Sequence, residues 1–202
     1  MAEQLLAHGR GIGETQRLVV TVVMSDIRGY STIAEHADPS SLAAQLNVHR
    51  AEMNRAILAF GGTVMQYVGD AVMAVFGAPE QTDDHADAAL AASLAMHRAQ
   101  AEVNARWTAE SLPPFDLGIG LSTGDVAAAL LGSEERVEYS VVGDAVKLSQ
   151  RLQQLAAPGQ IVVSEPTWEL LTDRPADAEH LAPELVKGRD TPVAPYRFGP
   201  VI

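Results

Sequence analysis

Two acids in this chain stand in matching surroundings. Asp26 ends the stretch VVMSD, with one residue between it and the apolar run at residues 18–24. Asp70 lies in YVGDAVMAVFG, where a Gly-Asp pair separates two apolar runs. A carboxylate at a strand end and one at a hairpin tip meet when the strand lies beside the hairpin. Two carboxylates so placed repel each other, and a divalent cation relieves the repulsion. A few oxygen ligands are what Mg²⁺ takes from a protein, with substrate phosphates completing its shell. Ile27, Arg28, Gly29 and Tyr30 follow Asp26 at once. They offer backbone N–H groups and a glycine ahead of a helix, a cradle for phosphate. Either acid alone is ordinarily a cap or a turn residue. Their joint placement is what speaks for a site.

The elements that must position these acids follow from hydrophobic pattern and turn chemistry. Residues 18–24 are continuous and β-branched, which predicts a central strand buried on both faces. Residues 38–62 predict a helix capped by Asp38 or Ser40 and stopped by Gly61 and Gly62, with a stripe of Leu42, Leu46, Met53, Ile57 and Phe60. Residues 63–77 predict a hairpin turning at Gly69-Asp70. An Ala-rich helix is expected over 83–107, then a break at Pro113-Pro114. Residues 115–122 and 126–131 read as two strands joined by a Thr123-Gly124-Asp125 turn. The polar stretch GSEERVEYS reads as an exposed loop or arm. A helix over 143–156, a strand over 161–164 and a short helix over 165–171 follow, then two short strands around Lys187-Gly188. This order predicts an α+β fold: a ferredoxin-like βαββαβ core with additional strands, mostly antiparallel, with helices on its faces. Residues 1–16 read as an N-terminal extension or linker and 17–200 as one domain.

Composition excludes several functions. The 202 residues carry a net charge of −12, a field that repels nucleic acid. There is no cysteine, hence no disulfide framework, thiolate metal site or thiol catalysis. No apolar run approaches a membrane span, and the first 17 residues lack a signal-peptide pattern. A cytoplasmic domain without direct membrane contact is expected, alone or as part of a larger protein. Asp125 reads as a turn residue and Asp144 as a helix N-cap. The six histidines show no metal spacing and read as lying mostly on polar faces. Trp107 and Trp168 read as packing residues.

The segments VVMSDIRGYS, GGTVMQYVGDAVMAVFGAP, EYSVVGDAVKLSQRLQQLAAPGQIVVS and LVKGRDTPVAPYRF, in this order, resemble the class III nucleotide cyclase catalytic domain. The resemblance covers about residues 17–199. It implies the nucleotide cyclase fold and a head-to-tail dimer, a homodimer or a heterodimer with another cyclase domain, with active sites at the interface. It implies conversion of ATP, with GTP as the alternative, to the cyclic monophosphate and pyrophosphate. Two Mg²⁺ or Mn²⁺ would be held by Asp26, Asp70 and the carbonyl of Ile27. The other subunit would read the purine through the positions of Gln66 and Ser140, where the family carries Lys and Asp or Thr. The usual Glu of a guanine-selective site is absent. Two transition-state residues, Asn and Arg in the family, fall on Lys147 and Arg151, four apart on one helix face. Lys187 matches a lysine on the terminal phosphates, and Arg136 matches more loosely a cation reaching phosphate. Gln66 and Lys147 depart from the pattern. They leave a second expectation open: a degenerate domain that binds nucleotide as a regulatory or dimerisation module, or a weakly selective ATP/GTP cyclase. A diguanylate cyclase is disfavoured, since no GGDEF-like sequence occupies the hairpin.

Overall fold

The computed structural model describes residues 13–133, 136–183, 185 and 191–200. Its axis is β1 (Thr15–Ile27), whose residues from Val20 to Ser25 are all buried because packed core lies on both faces of the strand. On one side runs β3 (Ala71–Phe76), on the other β4 (Leu117–Ser133), both antiparallel to β1. β2 (Thr63–Val68) joins β3 through a tight turn at Gly69, whose φ of 63° favours glycine. Beyond β4 lie β6 (Ile161–Val163), β8 (Tyr196–Phe198) and β7 (Glu179–His180). The order is β2-β3-β1-β4-β6-β8-β7, an eight-stranded sheet once β5 (Arg136–Val142), which pairs with β4, is included.

Alternation along β1 divides the core. Val23 and Ile27 face the layer containing α2 (Pro39–Ala59) and α3 (His85–Ala109), packed with Met53, Ile57, Met96 and Trp107. Val20, Val22 and Met24 face the other way, toward Val126, Val141 and Ala145, the last on α4 (Asp144–Leu155). Asp26 follows Val22 and Met24 on this second face, which puts it on the α4 side. A short α1 (Tyr30–His36) precedes α2, and α5 (Glu165–Leu170) follows β6. Asp38 caps α2, accepting from the Ser41 N–H at 2.8 Å and so satisfying one of the donors that the first turn leaves free. Among the described residues no helix is long and apolar enough to cross a membrane.

A chain of buried hydroxyls crosses the sheet. Thr21 on β1 lies 2.8 Å from His85 Nδ1 and 2.7 Å from the hydroxyl of its register partner Thr123. Thr123 continues to Thr167 at 3.0 Å, and Thr167 to Ser164 at 2.8 Å. This binds α3, β1, β4 and α5 through one polar seam.

Several expectations are corrected. No turn occurs at Thr123-Gly124-Asp125: β4 is one strand of 17 residues. Its glycines break nothing; they make room for what packs on the strand. A Cβ on Gly120 would sit 2.3 Å from the backbone of α4, and one on Gly124 would touch the Ala145 side chain at 3.4 Å. Asp125 is paired within the strand ladder and bonds Arg17 at 2.9 and 3.0 Å. The expected arm is in its second half a strand, β5, because its alternate Tyr139 and Val141 are buried against the core. Asp144 is the first residue of α4; Gly143 holds the cap position. Phe60 is 38% exposed, because it lies past the last turn of α2. His49, His85 and His97 are buried, not on polar faces. Trp107, edge-on to Phe115, and Trp168, stacked on Tyr196, are packing residues as expected.

Candidate active site

The β1–β3 register pairs Ser25 with Val72. One step further brings Asp26 to the hairpin tip that carries Asp70. The Ile27 N–H donates to Asp70 Oδ2 at 3.1 Å. Asp26 Oδ2 accepts from Gln153 Nε2 at 3.0 Å and from Arg28 Nη2 at 3.3 Å. Burial and the neighbouring Asp26 carboxylate push the Asp70 carboxyl up to about 6. Such a pair is destabilised when both members are ionised, and that is the electrostatic condition a divalent cation relieves. Among the described residues no group of three or more His, Cys, Asp or Glu is placed to hold a metal ion. Two half-buried carboxylates are therefore what the site offers, an all-oxygen set that fits Mg²⁺ or Mn²⁺ with further positions left to water and substrate.

Asp26, Ile27, Arg28, Gly29, Tyr30 and Asp70, all singled out from sequence, line one cavity of about 220 Å³ together with Ser31. Gly29 opens α1 at a φ of 70°, and its carbonyl accepts from the Thr32 and Ile33 N–H groups. Arg28 lies across β4 at Gly118, where a Cβ would meet its Nε at 2.7 Å. That Nε is buried without a partner, while Nη2 reaches Asp26. Tyr30 turns its ring edge-on to Phe115, 6.2 Å between centroids, so its aromatic surface belongs to the core.

The remaining expected residues do not line this cavity. Gln66 is exposed on β2 beside a register shift, with its amide 3.6 Å from Met73 Sδ. Ser140 is half-buried on β5, opposite Ala129. Lys147 is exposed on α4, and Arg151 is partly exposed with Nη1 donating to Gln154 at 3.2 Å. Lys187 and the side chain of Arg136 lie outside the described residues. A larger cavity of about 430 Å³ opens between α4, β4 and α5, with Asp125 and Asp144 on its wall. The sequence reading missed Gln153. Its available signal was the pair Ser149 and Gln153, four apart beside the apolar Leu148 and Leu152, since a glutamine on a buried helix face needs a partner.

From residue 14 to 197 the chain matches the family described as the adenylate and guanylate cyclase catalytic domain, and it belongs to that family. It is 34% identical over 149 residues, 72% of this chain, to an adenylate cyclase of Anabaena cylindrica. It is 32% identical over 179 residues, 85% of this chain, to a receptor-type guanylate cyclase of Caenorhabditis elegans, of which it covers 13%. The chain spans 28% and 21% of the length of two bacterial adenylate cyclases it matches. Its fold superposes on the crystal structure of the guanylyl cyclase Cya2 with a TM-score of 0.84 at 34% identity, covering 91% of this chain and 92% of that one. For the adenylyl cyclase CyaB of P. aeruginosa the TM-score is 0.83 at 32% identity, covering 91% and 95%. The mixed α+β fold with one eight-stranded sheet is thus that of the cyclase catalytic domain.

Proposed function

We propose that this domain, residues 17–200, cyclises a purine nucleoside triphosphate, ATP before GTP, to the 3′,5′-cyclic monophosphate and pyrophosphate, in a head-to-tail dimer. The observation that carries this reading is the convergence of Asp26 and Asp70 on one cavity, with Asp70 raised to about 6 by burial and by its neighbour. Divalent cations held there by Asp26, Asp70 and the Ile27 carbonyl would neutralise phosphate charge and acidify the ribose 3′-hydroxyl. The chain's own part is positioning and electrostatics. The loop from Ile27 to Tyr30 cradles phosphate oxygens. Arg151 of the partner subunit balances charge growing on the α-phosphate as the 3′-oxygen displaces pyrophosphate. Gln66 and Ser140 of the partner subunit meet the purine edge, Lys147 of the partner subunit stands near the ribose, and Lys187 and Arg136 serve the outer phosphates. Adenylate cyclases among the relatives support ATP. A Gln that both donates and accepts keeps discrimination against GTP modest.

A second reading, a nucleotide-binding regulatory module, draws on Gln66, whose amide is turned onto Met73 of its own chain. Incubating the purified domain with ATP or GTP and Mn²⁺, followed by product analysis, separates the two. Cyclic nucleotide with pyrophosphate is the expected result. Nucleotide binding with no product would overturn the enzyme in favour of the module.

A further inference from the structure

We propose that Gln153 is a positioning residue for the cation site: its amide holds Asp26 in the orientation that binds a divalent ion, and so ties α4 to that site. The inference rests on the cation-binding reading of Asp26 and Asp70 given above.

Gln153 is only 3% exposed. It spans 127 residues of sequence to donate from Nε2 to Asp26 Oδ2 at 3.0 Å. Arg28 Nη2 donates to the same oxygen at 3.3 Å. Two donors on Oδ2 fix the plane of the carboxylate, so the acid enters the site in one rotamer. Backbone packing locates the donor in turn. The N and Cα of Gln153 press on β4 at Gly120, where an added Cβ would lie 2.3 and 2.9 Å from them. Two residues along β4, Gly118 is the register partner of Asp26. The bare backbone at Gly118 and Gly120 admits Arg28 and α4 to the depth at which Gln153 reaches the acid.

The residue type suits the task. A lysine or arginine at 153 would neutralise Asp26 and repel a divalent ion. An aspartate or glutamate would add a third negative charge to a pair that already repels. A leucine would remove one of the two donors on Asp26 Oδ2 and leave its orientation to Arg28 alone. A glutamine donates a hydrogen bond without adding charge. Partners that orient metal-binding groups typically contribute about 10–100-fold to metal affinity.

The test measures Mn²⁺ binding to the nucleotide-free protein by the electron paramagnetic resonance signal of free Mn²⁺. Wild type, Gln153→Met, Gln153→Asn and Asp26→Ala are compared, each first shown to be folded by its melting curve. Met keeps the volume of the side chain and removes the donor; Asn keeps the amide and draws it back by one methylene, and it replaces Met if Met does not fold. The expected result is roughly 10–100-fold weaker Mn²⁺ binding in the Gln153 variants. Their kcat should recover toward wild type as Mn²⁺ is raised. Wild-type Mn²⁺ affinity in a folded Gln153 variant, with binding lost in Asp26→Ala, would overturn the positioning role alone. Undiminished binding in Asp26→Ala as well would overturn the cation site and this inference with it.

Discussion

The acid edge and the cationic face of α4 are built to different standards. At the acid edge both carboxylates are held by their own chain. Asp26 has donors from Gln153 and Arg28, and Asp70 has the Ile27 N–H. On α4, Lys147 is exposed and Arg151 is held by a single 3.2 Å bond to Gln154, one turn away. Under the proposed function, one half of the chemistry is preorganised and the other is left unfinished within the chain. A chain that supplies its acids to one site and its cations to another has this form: the acids must repel in place before any ligand arrives, whereas the cations acquire partners only on assembly. Exposed apolar side chains near both regions, Tyr67 and Val68 beside the hairpin tip and Val142 ahead of α4, are suited to covering by a second domain.

The largest expected effect lies on the preorganised half. Asp70→Ala should lower cyclase activity by well over the roughly 100-fold seen when an outer partner of a metal ligand is lost, with little change in melting temperature. Arg151→Ala should be similarly inactive, and mixing the two dead variants should restore product through one intact site in each mixed dimer. Full activity of Asp70→Ala, or no recovery in demonstrated mixed dimers, would erase the contrast between the two halves. A smaller effect is expected on the unfinished half. Gln66→Lys with Lys147→Asn should raise the ATP rate by about tenfold, part of the roughly 100-fold that a misplacement of about 1 Å costs. The pair should exceed either single change. A fall in rate would show that these residues are adapted to this site.

The smallest effect is on stability and depends on pH. In the folded protein Asp70 titrates at about 6, against an ordinary value of 3.8. The folded state thus holds this proton more tightly than the unfolded chain. Its contribution is fully present below pH 3.8 and is lost as pH rises through 6. Without metal, Asp70→Asn should therefore be more stable than wild type at pH 8, by about 1 kcal/mol after allowance for solvent screening, with the gap closing toward pH 4. Mn²⁺ at pH 8 should stabilise wild type and leave Asp70→Asn unchanged. Equal denaturation midpoints at pH 8 and pH 4 would remove the proposed strain between the acids.

How legible each half was follows from where its partners lie in the chain. The meeting of Asp26 and Asp70 was readable because an apolar run and a Gly-Asp hairpin are local signals, and β1 falls beside β3 as that order requires. β4 was misread because Thr123-Gly124-Asp125 signals a turn in isolation; what Gly124 accommodates, Ala145 on α4, comes from another element. Gln153 escaped notice for the same reason. His49 and His85 read as surface residues because their partners, Gln100 and Thr21, come from other elements. Burial pushes both imidazoles below their usual range.

The seam of hydroxyls across the sheet has a polarity. Ser164 Oγ already accepts from the Thr123 and Thr167 N–H groups, each at 3.4 Å, so its own proton is free to go to Thr167. Thr167 can then give its proton to Thr123, Thr123 to Thr21, and Thr21 to an unprotonated His85 Nδ1. Run in this direction, every link is satisfied and His85 is neutral with its proton on Nε2. Run in reverse, the last proton on Ser164 would need an acceptor beyond the seam. The interior therefore carries a row of aligned dipoles whose sense is set at its two ends. Replacing any one member by an isostere without a hydroxyl, such as Thr123→Val, splits the row into two pieces that must each find a new order.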